Sequence, residues 1–188
     1  KELPAGKPGE IQVHRVASSQ GLDPRIVMLA APDSAAAAAF RVLRHRLLEQ
    51  GAAGTILVTS PEAGEGKTVC AANLALALAR LGRRVGLLDV DIYGPSVPTM
   101  FGLHDRPVVV DNRIQPYERW GVKLMSIGFI LDADTPVIWR GPMVMRAIEQ
   151  MLGDVDWGAL DVLVLDMPPG TGDAQLTVLQ KIDVAGAV

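Results

Sequence analysis

Three short runs hold the residues whose types and spacing suit chemistry. The first is Thr59-Ser60-Pro61-Glu62-Ala63-Gly64-Glu65-Gly66-Lys67-Thr68. A phosphate-binding loop needs small residues so that successive backbone N–H groups can face an anion, a lysine for the terminal phosphates, and a hydroxyl for Mg²⁺. Gly64, Glu65, Gly66, Lys67, Thr68 and Val69 form the expected cradle, although the strict pattern asks for glycine where Pro61 stands. The second run is Asp89-Val90-Asp91, and the third is Asp166 with the following Pro168-Pro169-Gly170-Thr171-Gly172-Asp173.

Carboxylates beside a polyphosphate repel it unless a cation lies between them, so this set asks for ATP together with Mg²⁺. Thr68 is expected to ligate the Mg²⁺ and Asp166 to hold it through water. Asp89 or Asp91 would orient the attacking water or accept its proton, while Lys67 offsets charge on the β and γ phosphates. Backbone amides at Gly170 and Gly172 are placed to touch the γ-phosphate and release it after hydrolysis.

These runs need elements to position them. The apolar stretches Thr55-Ile56-Leu57-Val58, Val85-Gly86-Leu87-Leu88 and Val162-Leu163-Val164-Leu165 read as strands covered on both faces. Each ends, at its C-terminal edge, in one of the three chemical runs. In a parallel sheet with crossover helices such edges lie side by side, which is where these folds bind ligands. The spacing predicts a helix over residues 69 to 81 that is small and apolar nearly all round, ended by Gly82. Another is predicted over 34 to 50, with Ser34 as N-cap and Arg41, Arg44 and Arg46 on its polar side; that side is either a solvated basic face or a subunit contact. Further helices are expected near 143 to 152, with Pro142 in the first turn, and over 174 to 180. Val122 to Ile127 is a strand candidate, and the valines at 108 to 110 are expected to turn back around Asp111-Asn112 as a small hairpin.

The fold class expected is therefore α/β, a doubly wound and mostly parallel sheet of the P-loop type. Residues 1 to 33, rich at their start in Pro, Gly and polar groups, are expected as a linker or loosely packed arm, and 34 to 188 as the ATPase domain. Opening on Lys1 and stopping in the strand-like run Val184 to Val188, the chain is expected to be a fragment whose sheet is incomplete at its C-terminal end.

The 188 residues are enough to bury a core. A net charge of −3 argues against a general nucleic-acid or anionic-membrane binder, and no apolar run is long enough to span a bilayer. A single cysteine excludes an internal disulfide framework and fits a reducing, cytoplasmic setting. Cys70 reads as a small packing residue, and the three histidines lack metal-ligand spacing.

Long runs outside the phosphate loop carry a resemblance. Asp91-Ile92-Tyr93-Gly94-Pro95-Ser96-Val97-Pro98, Met125-Ser126-Ile127-Gly128-Phe129, Trp139-Arg140-Gly141-Pro142-Met143 and Leu165 to Asp173 resemble the Mrp family of MinD-like P-loop ATPases, which carry iron-sulfur clusters. The resemblance implies ATP hydrolysis, a homodimer, handling of an iron-sulfur cluster and apo iron-sulfur proteins as recipients. Two positions depart from the family pattern. Glu62 stands where the family has a signature lysine that reaches the partner's nucleotide, and the Cys-x-x-Cys cluster ligands do not occur in this chain. Asp23-Pro24-Arg25, Phe40 to Arg44 and the loop 59 to 68 resemble instead the bacterial tyrosine autokinases of polysaccharide export, which also lack the signature lysine. A MinD-like positioning ATPase is a third reading.

Overall fold

The computed structural model describes residues 21–51, 53–92, 94–130, 141–170 and 172–188. The conformation of residues 1 to 20, Ala52, Tyr93, the run 131 to 140 and Thr171 lies outside the described residues, and with it the Trp139-Arg140 pair and most of the anticipated arm.

The main sheet is built from β1 (Gly54–Val58), β2 (Val85–Asp89), β5 (Tyr117–Arg119), β6 (Val122–Ser126), β7 (Val162–Asp166) and β8 (Val184–Ala187), in the order β5-β6-β2-β7-β1-β8. All neighbours run parallel except β5, which returns antiparallel on β6. The central strands β1, β2 and β7 are covered on both faces, as their uninterrupted apolar runs require. A separate two-stranded hairpin pairs β3 (Val109–Val110) with β4 (Arg113–Ile114). Its Asp111 and Asn112 take φ +47° and +62°, the left-handed pair that a two-residue hairpin turn requires.

Sequence patterning missed β5. Its three residues alternate too briefly to stand out, and the Trp120-Gly121 turn that joins it to β6 puts a tryptophan at φ +49°. Trp120 is held there by Phe101, with ring centroids 5.8 Å apart. β8, expected as a buried strand, forms at the edge of the described sheet and alternates half-buried with exposed residues.

The helices are α1 (Val27–Ala30), α2 (Ala35–Glu49), α3 (Lys67–Ala79), α4 (Val97–Met100), α5 (Gly141–Gly153) and α6 (Asp173–Lys181). In α2 the Ser34 hydroxyl accepts from the Ala37 N–H at 3.2 Å, the N-cap that its position predicts. The basic side of α2 is partly committed. Arg41 donates to the Pro32 carbonyl at 2.7 Å and Arg44 to the Ala77 carbonyl at 3.0 Å, so two of the three arginines fasten the helix to its neighbours and Arg46 alone is exposed.

α3 has scarcely a wet face; Ala71 to Leu78, more than two turns of the helix, are all buried. The one polar residue among them is Asn73, fully buried. Its Oδ1 accepts from the Met28 N–H at 2.9 Å, and its Nδ2 donates to the Arg25 carbonyl at 3.0 Å and the Val69 carbonyl at 2.8 Å. This corrects the expectation of a loose arm for residues 21 to 33. Ile26 and Met28 are fully buried in the core, and the Asp23 N–H donates to the Met100 carbonyl. Two apolar anchors spaced two apart, one at the N-cap of a four-residue helix and one inside it, are too short a pattern to read as packing.

Replacing Asn73 by alanine strips three hydrogen bonds and leaves a buried N–H and two carbonyls without that partner. Asn73→Ala is expected to lower unfolding free energy by about 2 to 4 kcal/mol in urea titration. A change below about 0.5 kcal/mol would show that the 25–28 segment does not depend on this clamp.

Candidate active site

Strand register assembles the site. Val58 of β1 and Asp89 of β2 both pair with Asp166 of β7, which brings the three chemical runs level at one sheet edge. Beyond β1 the chain forms the phosphate loop, with Gly64 at φ +83° and Gly66 at φ +90°. Those angles are strained for any residue with a Cβ, which is why glycines stand there. Gly66 is the N-cap of α3, so the helix aims its first N–H groups, those of Lys67, Thr68 and Val69, at the loop's interior. Lys67 is buried, with only 8% of its surface exposed, and Nζ donates to the Glu62 carbonyl at 3.4 Å.

The two acidic residues of the loop face outward. Glu65 accepts the Glu62 N–H at 3.0 Å, and that bond, helped by the Ser60 hydroxyl and Lys67, holds its carboxyl below the ordinary value. Ser60 in turn donates to the Glu62 carbonyl at 2.8 Å. The Gly170 N–H, the predicted γ-phosphate contact, donates here to the Ser60 carbonyl at 2.9 Å and ties the loop after β7 to the start of the phosphate loop. Gln175 braces that loop further, donating to the carbonyls of Pro168 and Pro169.

β2 ends at Asp89, so Asp91 lies beyond the strand. Asp89 is fully buried. Its oxygens accept from the Asp91 N–H at 3.0 Å, the Val97 N–H at 3.2 Å and the Ser126 hydroxyl at 2.9 Å. Burial pushes its pKa up to about 6 against the pull of those three donors. The carboxylate is thus spent on folding the 91–97 segment back onto the sheet, and Asp91 is left as the half-exposed acid of the pair.

Asp166 has the opposite surroundings. It is fully buried, and neither carboxylate oxygen has a hydrogen-bond partner. Burial, and then the nearby Asp89, raise its pKa to about 7, while the Thr68 hydroxyl, and more weakly Lys67, act to lower it. A buried carboxylate left without donors is costly unless a cation meets it. Among the described residues no three His, Cys, Asp or Glu side chains converge to cage a metal. The donors present are one carboxylate and the Thr68 hydroxyl beside a phosphate cradle, and that set fits Mg²⁺, which is held by one or two protein oxygens with the remainder from phosphate and water. Cys70 lies on α3 near Asp166, and burial raises its thiol pKa, in keeping with a packing residue. A cavity of about 450 Å³ beside the loop is walled mostly by Leu57, Pro61, Met167, Leu176 and Leu179, with Thr59, Ser60, Gly170 and Gln175 as its polar members and no charged side chain.

Sequence reasoning overlooked Ser96 and Ser126. Ser96 lies 3.2 Å from Thr68 through their hydroxyls, and Ser126 secures Asp89. Both serines sit in runs that read as turn or strand end, and only their partners in the fold, Thr68 and Asp89, mark them.

A sequence model of the ParA family, described as NUBPL iron-transfer P-loop NTPase, matches residues 52–188. The chain belongs to this family. Over 136 residues it is 56% identical to an iron-sulfur cluster carrier protein of Aquifex aeolicus, a match that covers 71% of this chain and 37% of the relative. A nucleotide-binding protein of Archaeoglobus fulgidus, solved in complex with ADP, is 38% identical with a TM-score of 0.61 over 78% of this chain and 57% of its own. The kinase domain of the Escherichia coli tyrosine kinase ETK superposes with a TM-score of 0.68 over 96% of this chain and 71% of its own, at 18% identity, a likeness of fold alone. The chain spans half or less of the length of the curated relatives it matches, from 37% to 50%. Family membership bears out the resemblance carried by the runs after Asp89 and the doubly wound P-loop fold. No helix among the described residues is long and apolar enough to cross a membrane.

The ionisation of Asp166 generates a pH dependence. Its folded pKa, about 7, lies above the ordinary 3.8, so between those values the folded state holds more protons than the unfolded one. Metal-free stability therefore falls as pH rises through that window. In EDTA, Asp166→Asn is expected to melt several degrees above the parent at about pH 8, with the gap closing as the pH is lowered toward about 4. Equal melting temperatures at the higher pH would show that Asp166 carries no buried charge.

Proposed function

We propose that this chain is the nucleotide-hydrolysing part of an iron-sulfur cluster carrier. The observation that supports it most is the unpartnered Asp166 carboxylate, level in register with the phosphate loop and beside Thr68, in a chain of the iron-transfer NTPase family. In this reading Lys67 offsets charge on the β and γ phosphates of ATP, and Thr68 and Asp166 hold the Mg²⁺ that neutralises the rest. The backbone N–H groups of Gly64 to Val69 cradle the phosphates, and Gly170 exchanges its Ser60 bond for the γ-phosphate. A water oxygen bonds to the γ-phosphorus as the bridging bond to the β-phosphate breaks. Its proton passes toward Asp91, and ADP and phosphate leave. Asp89 positions that segment rather than touching water.

The carrier role follows the relatives. Aquifex aeolicus has a cluster carrier with 56% identity, whereas the tyrosine kinase shares 18% and the fold. The scheme adds, on the resemblance carried by the runs after Asp89, a homodimer in the cytoplasm that hands its cluster to apo iron-sulfur proteins. Glu62 is exposed and offers no cation to a partner's nucleotide, so activation through that position is not part of this scheme.

Lys67→Ala is expected to weaken ATP binding about ten-fold or more in calorimetric titration, the scale of one lost charge-assisted hydrogen bond. Unchanged affinity would remove the loop from the site. Incubated with labelled ATP and Mg²⁺, the protein should release phosphate and leave its two tyrosines, Tyr93 and Tyr117, unlabelled. Phosphotyrosine without phosphate release would transfer the assignment to the kinases.

A further inference from the structure

Thr68 has one hydroxyl proton, and where that proton points decides what its lone pairs can do. Its Oγ1 lies 3.2 Å from the Ser96 Oγ. Ser96 in turn lies 3.1 Å from the Gly94 carbonyl, which can only accept. A serine hydroxyl has a single proton, so with that proton on Gly94 the donor between the two hydroxyls is Thr68.

Ser96 does not owe its place to Thr68. The next residue, Val97, donates its N–H to the buried Asp89 carboxylate at 3.2 Å. The residue before it, Pro95, packs on Gly128 so closely that a Cβ there would lie 2.9 Å from the proline ring. The loop is therefore held at both sides of Ser96 by groups that belong to β2 and to the turn after β6. The other acceptor close to Thr68 is Asp166; the hydroxyl is near enough to favour its charged form, but neither carboxylate oxygen meets a donor at hydrogen-bond geometry.

We infer that Ser96 is a positioning residue for the cation site: by accepting the Thr68 proton it turns a Thr68 lone pair toward Mg²⁺ and keeps both Asp166 oxygens free for the ion and its waters. This rests on the Mg²⁺-nucleotide reading above. Without Ser96 the Thr68 proton turns to the Asp166 carboxylate. A hydrogen bond to an ionised acceptor is about twice as strong as one between neutral groups, so the cation must compete with it.

The test is nucleotide affinity, read with a fluorescent ADP analogue across a Mg²⁺ titration and in EDTA, for the parent, Ser96→Ala and Ser96→Thr. Ser96→Ala is expected to need about ten-fold more Mg²⁺ for the half-maximal gain in affinity, the scale of a lost partner behind a metal ligand. Its affinity in EDTA should stay within about two-fold of the parent, and Ser96→Thr, which keeps the acceptor, should restore the parent midpoint. A parent with a clear Mg²⁺ dependence and a Ser96→Ala midpoint equal to it would overturn the inference and leave the Mg²⁺ reading standing. So would an equal loss in EDTA, which would make Ser96 a residue of loop structure alone. A parent whose affinity ignores Mg²⁺ would overturn the reading and the inference together.

Discussion

Asp89 and Asp166 are paired in register and buried at the ends of adjacent strands, and removing two carboxylates from water sets the terms for everything around them. The protein treats the two in opposite ways. Asp89 receives two backbone N–H groups and a serine hydroxyl, which makes it an internal tether for the segment after β2. Asp166 receives no donor and stays at odds with its surroundings. Identical side chains one strand apart thus divide into a group that organises the fold and a group left without a donor.

The phosphate loop depends on α3, and α3 depends on being covered. Its sequence is so apolar that it has to be packed against the sheet and other helices. α2 covers it along one side, where Arg44 reaches the Ala77 carbonyl, and the 25–30 segment covers it near its start, where Asn73 is bonded. The direction in which Lys67 and the first N–H groups of α3 point is therefore set by contacts far outside the loop. Segments that look peripheral in the chain are structural supports of the loop before α3.

The loops at the sheet edge are joined to one another as well. Gly170 bonds to Ser60, Ser96 meets Thr68, and Pro95 rests on Gly128. A change of ligand at the phosphate loop therefore meets loops from three strands at once, which is the arrangement a nucleotide-dependent switch requires.

Much of this was legible in the residues themselves. Local chemistry determined the phosphate loop, since only glycine tolerates the backbone at Gly64 and Gly66 and only a lysine and a hydroxyl complete the cradle. Uninterrupted apolar runs determined β1, β2 and β7 as doubly covered parallel strands, and from that followed the meeting of their C-terminal edges. Turn chemistry determined the hairpin at Asp111-Asn112. Tertiary structure alone decided the rest, because burial and hydrogen-bond partners are properties of pairs distant in the chain. The residues left Asp89 and Asp91 as alternatives for one role, and only packing against Ser126 and Val97 committed one of them to the fold. Ser96 is one more turn residue until the fold sets it against Thr68 across 28 positions of sequence. Asn73 and Asp166 are ordinary polar letters in apolar surroundings; which of them would be satisfied and which left without a partner depended on what the folded chain brought to each.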